Sequence, residues 1–321
     1  MSTILVTGAS GFVGSWAVPA LLAAGHDIVA LVRGPGSTER ILGRLPAAWH
    51  GRVESRTGDV THPATLGPAM AGVDGVLHLV AIPRDLRGGA ELRLVNTEGT
   101  RSVVAAMAKS GVRRLVHLGA MGVEDDRSLH YASSKAKAEA LVAASGLDWT
   151  ILKPSLQFGE GDGFFNLLAG LVRIAPVVPV PGRGASRFQP IHAGDVARVA
   201  VRAFADPSTV GGTFELGGPR YWTYREIAGE VTQALGARRL IVPMPVPLIS
   251  LVAGTAELVH LPFPVATDQL RQLRLDNVGP IGLVTERFGV QPRDLEGSLG
   301  YLRARPADQG PRGDALATAA A

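Results

Sequence analysis

The chain has 321 residues, of which 46% are hydrophobic and 19% charged, a composition typical of a globular protein with a sizeable core. It contains no cysteine, which excludes disulfide frameworks, thiolate metal sites and cysteine nucleophiles. The formal net charge is +4, but basic residues are interspersed with acidic ones, so the sequence predicts no nucleic-acid partner.

The first ten residues, MSTILVTGAS, lack a basic segment and run directly into a strand pattern. We therefore predict that no signal peptide is present and that the protein is cytoplasmic, which the lack of cysteine also favours. The eight histidines show no HxxxH or HExxH spacing, so no metal site is predicted.

Short apolar runs alternate with helical stretches along the first half of the chain. This alternation predicts an α/β fold, a doubly wound parallel sheet of the Rossmann type over residues 1–155. The predicted strands are 3–7, 27–32, 52–57, 75–81, 113–118 and 148–152. The predicted helices are 12–24, 62–71, 90–110 and 130–145.

The pattern loosens after Pro154, where glycine and proline are frequent. We expect residues 156–302 to form a smaller, mixed substrate-binding lobe over the carboxyl ends of the strands, with 190–205 packing back on the Rossmann domain. The elements expected there are helices at 163–174, 194–205 and 223–236 and a strand at 213–217. The tail, 303–321, lacks periodic apolar residues and is predicted to be disordered.

Residues 240–266 are strongly apolar, but prolines, Glu257 and His260 interrupt the run. A membrane-spanning helix needs about 20 consecutive apolar residues, so we do not predict one here. The preferred interpretation is a buried or pocket-lining segment. The alternative is peripheral association with a membrane or with a quinone-linked system.

A glycine-rich loop, TGASGFVG, follows the first strand and opens the first helix. Glycines in this position allow a tight turn and close approach of a pyrophosphate, and the helix N-terminus offers free N–H groups. The loop therefore predicts a dinucleotide site. Its predicted contact residues are Gly8, Ser10, Gly11, Phe12, Val13 and Gly14.

Arg33 stands at the end of the second strand, where proteins that bind NAD carry a carboxylate for the ribose 2′-hydroxyl. A guanidinium suits a 2′-phosphate by charge and by bidentate geometry, so NADP(H) is predicted in preference to NAD. Arg40 and Arg44 follow on a predicted helix and could reinforce the charge. On the residues alone, Arg33 could also be a solvated loop arginine.

Tyr131 and Lys135 form a Y-x-x-x-K pair at the start of a helix. Residues four apart share a helix face, and an ammonium stabilises a nearby phenolate. We expect Lys135 to lower the pKa of Tyr131 and to bind the nicotinamide ribose. Tyr131 would then exchange a proton with a substrate hydroxyl or carbonyl.

The glycine spacing and the Y-x-x-x-K pair resemble the extended and atypical branches of the short-chain dehydrogenase superfamily. The stretches HLGAMG, LKPSLQFG and PIHAGDVA add to this resemblance, which is strongest to the atypical group related to an accessory subunit of respiratory complex I. In that group the fold holds NADPH and can be without activity.

The resemblance implies that further residues contact the cofactor. On the residues alone, Asp59 could equally cap a helix, and Asn96 could be a solvent-facing polar residue on a helix. These residues are Asp59 and Val60 near the adenine, Leu79, Val80 and Ala81 beneath the cofactor, Asn96 on the helix behind the site, Leu118 and Gly119 at the end of the fifth strand, and Pro154 and Ser155 beside the nicotinamide amide. Asp195, in PIHAGDVA, is interpreted as a helix cap.

One position departs from the family pattern. Relatives carry a Ser or Thr at the end of the fifth strand to bind the substrate oxygen, whereas this chain has Gly119 and Ala120. The leading hypothesis is still an NADP(H)-dependent oxidoreductase or epimerase-like enzyme for a small, lipophilic or quinone-like substrate. The alternatives are a non-catalytic NADPH-binding assembly or regulatory protein and an NAD-dependent sugar-nucleotide epimerase or dehydratase. The expected pocket lining is Phe164, Phe165, Leu167, Phe188 and Trp222.

Overall fold

The structure, a computed structural model, describes residues 2–85, 88–126, 128–245, 247 and 276–304. Most of the apolar segment 240–266 and nearly all of the tail predicted to be disordered lie outside the described residues. Within the described part of the chain, no helix has the length and apolar character needed to cross a membrane.

Seven parallel strands form the central sheet, in the order β11-β6-β5-β4-β1-β2-β3. The strand order reverses between β1 and β4, which makes the sheet doubly wound and confirms the predicted fold class. The strands are β1 (Thr3–Thr7), β2 (Asp27–Val32), β3 (Val53–Thr57), β4 (Gly75–His78), β5 (Arg114–Leu118), β6 (Asp148–Pro154) and β11 (Gly212–Leu216).

Helices cover both faces of this sheet, which explains the nearly continuous apolar strands. Along β1, Ile4 and Val6 belong to one core cluster and Leu5 to the cluster on the opposite face. The helices are α1 (Gly14–Ala23), α2 (Pro35–Leu42), α3 (Leu66–Ala69), α4 (Ala90–Leu92), a π-helical segment (Arg93–Glu98), α5 (Gly99–Ser110), α6 (His130–Ala143), α7 (Phe164–Ile174), α8 (Ala193–Ala205), α9 (Tyr224–Ala234) and α10 (Leu283–Phe288).

Two boundaries in the first half were predicted incorrectly. Strand β4 ends at His78, and residues 79–81 form a loop. The Thr7 hydroxyl anchors this loop, because it accepts a hydrogen bond from the N–H of Leu79 at 3.1 Å. The helix expected at 62–71 is instead a 3₁₀ turn (Pro63–Thr65) followed by the single turn of α3. Proline interrupts this stretch, at both Pro63 and Pro68.

The strand expected in the smaller lobe at 213–217 is in fact β11, the edge strand of the central sheet beside β6. The Thr150 hydroxyl donates to the Thr209 carbonyl at 2.9 Å, which anchors the chain just before β11. Helix α10 also returns to this core, where Phe288 meets Phe214 with ring centroids 5.1 Å apart. The C-terminal half therefore contributes both to the central sheet and to the lobe beside it.

The start of α8 differs from the prediction that Asp195 caps it. His192 is the N-cap, because its Nδ1 accepts from the Gly194 N–H at 3.0 Å. Asp195 lies in the first turn, fully buried, with Arg198 2.8 Å from Oδ1 and the backbone N–H of Arg293 2.7 Å from Oδ2. This carboxylate ties the C-terminal segment to α8.

The remaining strands are short and pair outside the central sheet. They are β7 (Gln157–Phe158) with β10 (Ile191–His192), β9 (Arg187–Phe188) with β12 (Trp222–Thr223), and β8 (Val177–Pro181) with β13 (Leu240–Met244). A separate apolar cluster joins α7, α9 and the C-terminal Leu295, Leu299 and Leu302. A capping box between Thr223 and Glu226 begins α9.

Asp162 holds the start of α7 and the C-terminal segment together. Its carboxylate accepts from the Phe165 N–H at 2.6 Å and from the Tyr301 hydroxyl at 2.5 Å, and the residue is only 4% exposed. Burial raises the pKa of Asp162 from 3.8 to about 6, with these hydrogen bonds opposing the shift.

Replacing Asp162 with Asn should remove a pH dependence of stability. Because the folded-state pKa is raised, protonation stabilises the folded chain fully below 3.8, and this stabilisation is lost as the pH rises through about 6. In denaturant unfolding, the free energy of unfolding of wild type should therefore rise by about 1–2 kcal/mol relative to that of Asp162→Asn when the pH is lowered from about 7.5 to about 5. The exposed Glu39→Gln on α2 is the control and should show no such gain. Parallel profiles of wild type and Asp162→Asn would contradict the assignment.

Candidate dinucleotide site and adjoining cavity

The glycine loop leaves no room for side chains where a dinucleotide would approach. Gly8 has φ of +73°, and a Cβ on Gly14 would lie 2.3 Å from the Gly8 carbonyl oxygen and 2.5 Å from that of Ala9. The Gly11 N–H donates back to the Gly8 carbonyl at 2.9 Å, which closes the turn before α1 begins. The loop thus fits a pyrophosphate against the N-terminus of α1.

A groove of about 740 Å³ runs along the carboxyl edge of the sheet past this loop. Most of the sequence-predicted cofactor residues line it together. They are Gly8, Ser10, Gly11, Phe12, Val13, Gly14, Arg33, Asp59, Val60, Leu79, Val80, Ala81, Leu118, Gly119, Tyr131 and Lys135. Asn96, Pro154 and Ser155 do not line this groove.

One end of the groove carries opposite charges on neighbouring loops. Arg33 is exposed after β2, beside Ser37, and its charge acts on Asp59 after β3. Although burial raises the pKa of Asp59, hydrogen bonds from Thr61 and the charge of Arg33 lower it overall. Arg44 is bound to the glycine loop, since its guanidinium donates to the Ser10 carbonyl at 3.3 Å.

Asn96 does not line the groove but supports one of its loops through hydrogen bonds. Its amide oxygen accepts from the Ile82 N–H at 2.9 Å, and its Nδ2 donates to the Ile82 carbonyl at 3.1 Å and to the Ser134 hydroxyl at 3.0 Å. Asn96 therefore fixes the groove loop after β4 to α6, between Tyr131 and Lys135. Its place in the π-helical segment brings it into this position.

Lys135 is almost fully buried, and its Nζ donates to the Leu118 carbonyl at 2.6 Å. Burial lowers the pKa of Lys135 to about 8, and the charge of Glu139 opposes the shift. Burial and the charge of Glu139 raise the pKa of Tyr131 to about 12. The expectation that Lys135 lowers the pKa of Tyr131 is therefore wrong for this arrangement, and the phenol is protonated at neutral pH.

A second cavity, of about 420 Å³, opens beside the groove and shares Gly119, Tyr131 and Gln157 with it. Pro154 and Ser155 belong to this cavity. Of the five residues expected to line it, Phe164 and Phe188 do so. Phe165 and Trp222 are buried in the core of the lobe instead, and Leu167 lies outside the lining.

Asn277 closes the cavity from the C-terminal half. Its Nδ2 donates to the Met121 carbonyl at 2.6 Å, and its own Oδ1 accepts from the Ser155 hydroxyl at 2.5 Å. The sequence offers no signal for this contact, because Asn277 follows a long stretch without a motif.

An ion pair lies where the family pattern predicts a Ser or Thr. A Cβ on Gly119 would come within 2.4 Å of the Glu139 Oε1, and that oxygen accepts from the Ala120 N–H at 3.0 Å. The other Glu139 oxygen is 3.1 Å from the Lys153 Nζ, and both side chains are largely buried. A side chain at position 119 would therefore displace this carboxylate from the Ala120 N–H. The i, i+4, i+8 spacing of Tyr131, Lys135 and Glu139 was the signal that could have found it.

A family model described as NAD(P)H-binding matches residues 8–207, more than half of the chain. The chain therefore belongs to the NAD(P)H-binding family, as the glycine loop and groove indicate. Among solved structures, a dTDP-glucose 4,6-dehydratase of Streptomyces venezuelae with NAD bound has a TM-score of 0.72, 21% identity and 95% coverage of both chains. That likeness concerns the fold.

Curated relatives are similar over most of the chain. An uncharacterized protein of Mycobacterium bovis is 29% identical over 290 residues, 90% of this chain but 28% of its own length. A ceramide reductase of Caulobacter vibrioides is 29% identical, with 84% of this chain and 83% of that protein covered. The mitochondrial NADH dehydrogenase (ubiquinone) 1 alpha subcomplex subunit 9 of Arabidopsis thaliana is 26% identical, with 84% and 67% covered. The predicted likeness to a complex I subunit is thus confirmed.

Replacing Gly119 with Ala should destabilise the protein, because the new Cβ would displace the Glu139 carboxylate from the Ala120 N–H. We expect a loss of about 1–3 kcal/mol in the free energy of unfolding, measured by denaturant titration. Gly67→Ala is the matched control, since a Cβ there meets nothing within 4 Å. Equal stability of Gly119→Ala and wild type would show that the carboxylate is not held in this place.

Proposed function

We propose that this protein is an NADP(H)-dependent carbonyl reductase for an uncharged, largely apolar carbonyl compound. One observation carries the proposal: the groove and the cavity meet at Tyr131 and Gly119, which line both. A phenol at that junction would lie between a nicotinamide in the groove and a substrate in the cavity. The ceramide reductase relative supports the same class of reaction.

Tyr131 would be the proton donor. Its pKa of about 12 keeps the phenol protonated, which suits reduction of a carbonyl more than oxidation of an alcohol at neutral pH. In the reduction, the carbonyl carbon gains a hydride, which the nicotinamide supplies when bound, and the oxygen gains the phenol proton. The product is an alcohol, and water returns a proton to the phenolate.

Lys135 would bind the cofactor rather than the substrate. Its Nζ lies at the floor of the groove, held by the Leu118 carbonyl, with further donor hydrogens for ribose hydroxyls. Asn96 would keep Tyr131 and Lys135 in register with the loop that passes beneath the nicotinamide.

The lining of the cavity disfavours an anionic substrate. Its described residues combine Met121, Leu129 and Leu156 with acidic side chains and include no Lys or Arg. Of the acids, Asp276 is paired with Arg187 at 2.6 Å. A nucleoside diphosphate would meet no cation among these residues, which argues against a sugar-nucleotide substrate.

A second candidate is an NADPH-binding protein without turnover. Gly119 and Ala120 offer no hydroxyl to a substrate oxygen, and a complex I subunit is among the relatives. Turnover separates the two candidates, because both require the cofactor.

Arg33→Ala should lower the affinity for NADPH about tenfold to a hundredfold and leave that for NADH nearly unchanged, since a charge-assisted hydrogen bond contributes about 1.5–3 kcal/mol. Nucleotide fluorescence titration measures both affinities. Arg40→Ala is the control, because Arg40 is exposed on α2 and does not line the groove. An equal loss for both nucleotides would refute recognition of the 2′-phosphate.

Tyr131→Phe should lower NADPH oxidation by a panel of uncharged ketones and aldehydes about 10²–10⁴-fold, the contribution of a general acid. The affinity for NADPH should stay within about twofold, because the phenol hydroxyl is assigned to the substrate. Tyr221→Phe, at an exposed tyrosine outside both sites, is the control. Wild-type turnover in Tyr131→Phe would remove Tyr131 from the mechanism, and lack of turnover in wild type would favour the second candidate.

A further inference from the structure

One surface of the smaller lobe exposes aliphatic side chains beside arginines. This basic–apolar face consists of Arg173, Ile174, Arg238, Arg239, Leu240 and Val242. Ile174 is 83% exposed, Leu240 69% and Val242 38%. Ile174 ends α7, whose first residue, Phe164, lines the cavity, so the face lies about 15 Å from the cavity along that helix.

The start of β13 lies beside the residues that follow α7. Leu240 pairs with Val177 of β8, and its N–H donates to the Pro176 carbonyl at 3.3 Å. The Arg239 Nε donates to the Val172 carbonyl at 2.7 Å, which places this guanidinium over the last turn of α7. The exposed aliphatics and the arginines thus share one surface.

Strand β13 is apolar on both sides, which is unusual for a strand at the edge of a small sheet. Ile241 packs on the core of the lobe, and its neighbours Leu240 and Val242 point the other way into solvent. Single exposed aliphatics are ordinary, but Leu240 and Val242 share one side of β13, and Leu240 binds Pro176, two residues beyond Ile174.

The charge of the face is uncompensated within the described chain. Neither Arg173, Arg238 nor Arg239 forms an ion pair with a described residue. The guanidinium groups of Arg173 and Arg239 donate to backbone carbonyls. The two described stretches that carry the face, 163–194 and 231–245, contain no Asp or Glu. From the neighbouring elements, Arg303 adds a further cation, bound to the Ala234 carbonyl, and Glu230 accepts from the Gly297 N–H.

We propose that the basic–apolar face docks on an anionic phospholipid surface. Aliphatic side chains enter the headgroup region of a bilayer, and arginines beside them bind lipid phosphates, so the two parts of the face match the two parts of such a surface. A second copy of the chain would bring like charges together, which disfavours self-association through this face. The proposal does not depend on the proposed function.

Co-sedimentation with vesicles tests the proposal. The full chain should bind phosphatidylcholine vesicles that contain phosphatidylglycerol about tenfold or more tightly than vesicles of phosphatidylcholine alone, and added salt should weaken the binding. The double variant Ile174→Glu/Leu240→Glu should lose this binding at least about tenfold. Both positions are exposed, and an unchanged circular dichroism spectrum would establish that the variant folds.

Ile281→Glu/Val210→Glu is the matched control, since it makes the same charge change at two aliphatic residues that are exposed outside the face. This control should bind vesicles as tightly as wild type. Tyr131→Phe should do so too, which would show that vesicle binding does not depend on the proposed reaction. No binding to the anionic vesicles, or equal binding to both kinds, would overturn the proposal. So would wild-type binding by the double variant, or a dimer in ultracentrifugation that only the double variant abolishes.

Discussion

Helix α6 meets the end of strand β5 through polar side chains on one face, and the rest of the site depends on this contact. Lys135 holds the Leu118 carbonyl and Glu139 holds the Ala120 N–H, so two backbone groups that flank Gly119 are fixed to the same helix. Tyr131 stands on that face one turn earlier. The junction between groove and cavity is therefore set by a single helix rather than by a loop.

This contact constrains both chemistry and sequence. Burial and the charge of the Glu139 carboxylate, one turn beyond Lys135, raise the pKa of Tyr131, and the carboxylate also occupies the space that a side chain at position 119 would need. A hydroxyl-bearing side chain at position 119 would thus displace Glu139 and crowd Lys153. In the proposed reaction, a group from another part of the cavity would orient the substrate oxygen, or Tyr131 would do so alone.

The elements that follow strong local patterns were predicted well. The sequence placed the Rossmann strands, the glycine loop and the Y-x-x-x-K helix correctly, because hydrophobic period and turn chemistry are local properties. The strand predicted at 213–217 was assigned to the smaller lobe instead of the central sheet, since an edge strand added from far along the chain has no local marker. Asn96 was recognised as important, but its role in binding Ile82 and Ser134 depends on tertiary contacts.

The residues that complete the two sites lie far apart in the chain. Every residue that lines the groove comes before 158, whereas the cavity is finished by Asp276 and Asn277. During synthesis from the N-terminus, the groove can therefore assemble while the wall of the cavity is still inside the ribosome. If the cavity holds the substrate as proposed, the same separation lets substitutions around 276–277 change the choice of substrate during evolution without altering any residue that lines the groove.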